Sequence, residues 1–175
     1  MIKKTAQIFM FDLIFSSIVL VVTLGVIFSY VVGTTSNEEI YSLGLQITDS
    51  FTQTKLNALN DERVRDMFKD PTIRNLINIE NTVAQQAVQF EYLGRRDLAK
   101  NLTKIFIESY VKGEFGYNLT LEKNNEVITL FSQKGIDFPS FEESRISSRI
   151  QRSVLGYINR TDLYEGYIVR LDIWA

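Results

Sequence analysis

The sequence predicts an α+β fold: a long apolar helix at the N-terminus, several amphipathic helices, and then a small antiparallel sheet of about four strands. Three observations predict it. Residues 13–32 form a run of twenty without a single charge. Between Ser36 and Val111 apolar residues recur at helical spacing, punctuated by capping signals. After Gly113 the period shortens to strict alternation, the mark of strands.

At about 1.5 Å of rise per residue, twenty residues of helix reach roughly 30 Å, the thickness of a bilayer's hydrocarbon core. A transmembrane helix over residues 7–33 is therefore expected. Residues 1–6 would be a short basic leader and residues 34–175 a single extracytoplasmic α+β domain. Lys3 and Lys4 precede the run and no basic residue directly follows it, which predicts a cytoplasmic N-terminus and a translocated remainder. The run is longer than a secretory signal's apolar core and no A-x-A pattern follows Val32, so a retained single-pass anchor is expected.

Next, Ser36-Asn37-Glu38-Glu39 has capping-box spacing, and Ile40, Leu43, Ile47, Phe51, Thr54 and Ala58 follow on one helical face. This predicts a second helix over residues 37–60, joined to the first by a kink or a short hinge at residues 33–36. Asp70-Pro71 reads as an N-cap with proline in the first turn, opening a short helix to about Asn78. Asn81 reads as the cap of a helix over 82–93, ended by Gly94. Leu98, Leu102, Ile105, Phe106 and Tyr110 mark another within 95–111. Phe115, Tyr117, Leu119 and Leu121 then alternate, Asn124-Asn125 supplies a turn, and residues 127–131 return as a hairpin. Residues 135–141 read as a loop. A second hairpin runs out over 147–159, turns at 160–165 and returns over 166–174, with Tyr167, Val169, Leu171 and Ile173 on one face and Arg170 and Asp172 on the other.

Composition excludes much chemistry. There is no His, which removes histidine bases, triads and HExxH zinc sites, and no Cys, which removes thiolates and disulfides. The net charge is −2, without a basic patch suited to nucleic acid. No Gly-rich phosphate loop occurs. The acidic pairs Asp61-Glu62 and Glu142-Glu143 are sequence neighbours, which point apart on a helix or strand. Arg95-Arg96 and Arg145, Arg149 and Arg152 read as exposed charges, and Phe115, Tyr117, Tyr164, Tyr167 and Trp174 as core and sheet residues. No enzyme activity and no cofactor are expected. Three N-x-S/T sequons begin at Asn101, Asn118 and Asn159, candidate N-glycosylation sites if that part of the chain is translocated.

Asp12 is the polar group that a spanning helix accommodates least easily. Either it lies at the interface, where water and headgroups solvate it, or another chain supplies its partner charge. The Gly25/Ser29 pair has the small-xxx-small spacing that lets helices approach closely.

Lys3-Lys4-Thr5-Ala6-Gln7-Ile8-Phe9-Met10-Phe11-Asp12, followed by the apolar stretch, resembles the N-terminus of type IV prepilins, and is most similar to archaeal pilin-like proteins. The resemblance implies cleavage by a prepilin peptidase between Ala6 and Gln7. It further implies insertion of the mature helix into a filament core, where Asp12 would neutralise a neighbouring subunit's new α-amino group. Ala6 stands where glycine is more usual, and Asp12 stands one position later than the usual glutamate. The function so implied is a pilin-like structural or accessory subunit of a cell-surface filament. Its partners would be the membrane, the prepilin peptidase, and other pilin-like subunits or copies of itself. The alternative is a permanently anchored extracellular binding or adhesion module.

Overall fold

The computed structural model describes the backbone of residues 2–111, 113–136, 140–144, 146–159 and 162–175. It describes the side-chain surroundings of residues 14–27, 37–111, 113–136, 140–144, 146–156 and 166–175. The chain divides into two compact units, Met1–Glu38 and Glu39–Ala175.

Helix α1 spans Ile2–Gln53, so one helix occupies the stretch that the sequence divided at residues 33–36. It stops short of the expected residue 60 because the backbone that follows is recruited elsewhere. Val83 N–H donates to the Thr54 carbonyl, Leu56 N–H to that of Asn81 and Asn57 N–H to that of Ile79. A single 3₁₀ turn, Leu56–Ala58, closes this stretch.

The expected transmembrane span over residues 7–33 is not borne out. Among the described residues, no helix is long and apolar enough to cross a membrane. The expected single-pass anchor, with its N-terminus cytoplasmic and residues 34–175 outside, lacks the helix it needs among the described residues.

The rest of the layout is α+β, as the periodicities predict. Helix α2, Glu62–Lys69, has no counterpart in the sequence reading; Asp61 caps it, its carboxylate accepting from Arg63 N–H at 2.8 Å. Helix α3, Pro71–Arg74, opens at Asp70 as expected but ends after one turn. Helix α4, Val83–Tyr92, is capped by Thr82 rather than Asn81, in a capping box closed by Gln85. Asn81 is instead buried, and its amide donates to Gln89 Oε1 at 2.8 Å and accepts from Asn78 at 3.1 Å. Gly94 ends α4 with φ of 71°, where a Cβ would be strained. Helix α5 spans Arg96–Ile107.

Both hairpins form. Strands β1 (Gly116–Lys123) and β2 (Glu126–Gln133) join through Asn124-Asn125, whose φ values of 47° and 69° give the two-residue turn that matches strand twist. Strands β3 (Ser147–Asn159) and β4 (Asp162–Trp174) form the second hairpin. The antiparallel sheet has the order β2-β1-β4-β3, so the hairpins meet along β1 and β4.

One face of this sheet carries the core. Tyr117, Leu119 and Leu121 of β1 and Val169, Leu171 and Ile173 of β4 are fully buried, as are Ile47 and Phe51 of α1, Val83 and Val88 of α4 and Ile107 of α5. At Gly44, α1 lies close against the sheet. A Cβ there would overlap Ile150 Cδ1 and come within 3.3 Å of Ile173 Cγ2. Across the β1–β4 seam the indole of Trp174 covers Gly116 and fills the space its missing side chain leaves.

Candidate functional site

Residues 14–27 of α1 are all exposed. Ten of them are large apolar side chains, led by Phe15 at 69% and Val21 at 68% exposure. Successive residues advance about 100° around a helix, so this run leaves no polar face. Its polar groups are small: Ser16, Ser17 and Thr23, whose hydroxyl donates back to the Val19 carbonyl at 2.7 Å. Gly25 has nothing within 4 Å of where a Cβ would sit, an open notch in the apolar surface. Ten half-exposed aliphatic and aromatic side chains exceed the few hundred Å² of contiguous apolar surface typical of a monomer. Covering each would contribute about 1 kcal/mol.

The outer face of the sheet differs in kind. Arg149 of β3 grips Asp172 of β4 through Nε at 2.6 Å and Nη2 at 3.2 Å, and Asp172 is nearly buried. The hydrogen bonds that Arg149 donates to the Asp172 carboxylate raise the Arg149 pKa above its ordinary value. Phe141 stands edge-on to Trp174 at 6.3 Å and lies beneath the Arg149 guanidinium at 5.0 Å. One row along, Arg170 pairs with Glu122. Beside that pair lies an open cleft of about 460 Å³, lined by Glu122, Asn124, Asn125, Val127, Ile168 and Arg170. Both ions of each pair are engaged with each other, so the face is a zipped polar lattice rather than a set of free acids and bases. Among the described residues, no group of three His, Cys, Asp or Glu side chains is gathered as metal ligands would be.

Of the site residues expected from sequence, Gly25 lies on the exposed apolar segment. Ala6, Gln7, Asp12, Ser29 and Asn159 have side chains outside the described residues. Asn101 is exposed on α5, whereas Asn118 is half-buried in β1, opposite Ser132 on one side and Asp172 on the other. Of the arginines expected as exposed charges, Arg149 is exposed and paired with Asp172, Arg152 is half-buried and paired with Asp49 of α1 at 2.9 Å, and Arg145 lies outside the described residues.

Compared with models of protein families, with curated proteins and with solved structures, this chain has no match.

Proposed function

We propose that this chain is a pilin-like structural or accessory subunit of a filament, assembling through the apolar segment of α1 with copies of itself or with similar subunits. The observation that carries the reading is the all-round exposure of residues 14–27. A helix with one apolar stripe is satisfied by one neighbour; a helix apolar on every side needs several. Removal of residues 1–6 by a prepilin peptidase belongs to the same reading. So does the role of Asp12, whose carboxylate fixes axial register by meeting a neighbouring chain's α-amino group, as buried polar groups do in coiled coils. The alternative of an anchored module requires a span that the described residues lack.

The test is sedimentation of the full chain with Val21→Asp and with Asp12→Ala. Val21→Asp places a charge amid the apolar segment and should dissolve assemblies into monomers. Asp12→Ala should leave disordered or no filaments. In both variants the fluorescence of Trp174, the only tryptophan, should report an unchanged fold of the second unit. A wild-type chain that stays monomeric without detergent at high concentration would overturn the reading.

A further inference from the structure

The two outer strands of the sheet are guarded unequally. On β3, Arg152 occupies an inner-face position between the buried Ile150 and Val154, drawn there by Asp49. An inward-facing charge makes it costly to add a further strand beside it. Register shifts beyond Leu155 disturb that edge further. On β2, residues 127–133 contain no charge and no proline. Its one acid, Glu126, is met by Arg96 of α5 at 3.4 Å. A single irregularity sets Leu130 out of register and leaves residues 126–129 as a regular edge.

The turn geometry determines which groups that edge offers. A two-residue turn is closed by a hydrogen-bonded pair, here Lys123 and Glu126, and bonded pairs alternate with unbonded ones. Leu121 and Ile128 therefore bond each other, while Val127 and Thr129 turn their N–H and C=O groups to the open side. Their side chains are exposed, Val127 at 55%.

We propose that this edge pairs with the β2 edge of a second copy, antiparallel about a two-fold axis through Ile128. Val127 then exchanges main-chain hydrogen bonds with Thr129 of the second copy, and Thr129 with its Val127. Charge favours a second copy as the occupant. In this register each Glu126 faces a neutral Leu130, so no like charges meet, and β-branched Val and Thr stand opposite each other on the outer face. The contact is isologous and joins two four-stranded sheets into one. It uses residues of the second unit alone and does not rest on the filament reading.

The chain has no cysteine, so introduced thiols report without background. Full-length V127C and T129C variants would be oxidised separately and as an equimolar mixture. Hydrogen-bonded antiparallel partners have Cα atoms about 5.5 Å apart, inside the range a disulfide spans, whereas like positions in this register lie beyond about 7 Å. The mixture should give a covalent dimer at least about tenfold above either variant alone, given that geometric selectivity. No dimer from the mixture, or equal yields from the single variants, would overturn the proposal. The second result would mean random collision or another register.

Discussion

Two stretches of helix α1 share one backbone conformation and opposite fates. Residues 40–51 bury Ile40, Ile47 and Phe51 in the core and leave Tyr41 exposed, whereas residues 14–27 bury nothing. Helix propensity does not separate them, since residues 14–27 are rich in β-branched residues and are helical all the same. The difference is pattern. Apolar residues confined to one stripe give a helix a partner within its own unit; apolar residues on every side give it a need that its own unit leaves unmet.

The contrast can be broken most strongly at its aromatic residues. Phe51→Ala removes a ring packed at a tilt against Phe106, 5.5 Å between centroids, and should cost the second unit about 3–5 kcal/mol, read as a lowered urea midpoint by Trp174 fluorescence. Phe15→Ala, the same chemical change on the exposed stretch, should shift that midpoint by less than about 0.5 kcal/mol. Equal shifts would mean that residues 14–27 take part in the core.

The glycines sharpen the comparison at smaller scale. Gly44→Leu forces atoms into Ile150 and Ile173 and should cost about 1–3 kcal/mol by thermal or urea melting. Gly25→Leu enters open space and should leave the same transition in place, while the helical circular dichroism holds or rises.

The smallest effect is on acid stability, and it belongs to the second unit. Asp61 and Asp70 have pKa values held below 3.8, the first by the Arg63 side chain and the second by the Thr72 hydroxyl, with backbone N–H groups adding to both. A carboxyl depressed in the folded state stabilises it above its unfolded pKa and loses that contribution as pH falls through the folded value. Helical ellipticity should therefore hold down to about pH 4 and decline below it, and Asp70→Asn should blunt the decline.

The regular elements were legible because their signals are local. Alternation at Tyr117, Leu119 and Leu121 and the Asn124-Asn125 turn fixed the first hairpin without reference to the rest of the chain. Helix α2 was not legible: Val64 and Met67 are the buried residues of a segment otherwise dominated by charge, too thin a stripe to stand out. The cap at residue 82 was misplaced by one position because Asn81 and Thr82 are both good caps. What decides between them is the distant Gln89 amide that claims Asn81. The pairing of Arg149 with Asp172 and of Arg152 with Asp49 depends on strand register and on helix placement, and neither is written in the spacing of single residues. The transmembrane expectation rests on counting uncharged residues, and among the described residues no helix is long and apolar enough to cross a membrane.

The order β2-β1-β4-β3 has a consequence for biosynthesis. β1 must wait for β4, some fifty residues later in the chain, before it gains its second neighbour. Residues 14–27 leave the ribosome well before that closure and are still exposed after it. Whatever finally shields that greasy stretch has to arrive early, while the polypeptide is still being translated, or yield its place to a chaperone until it does.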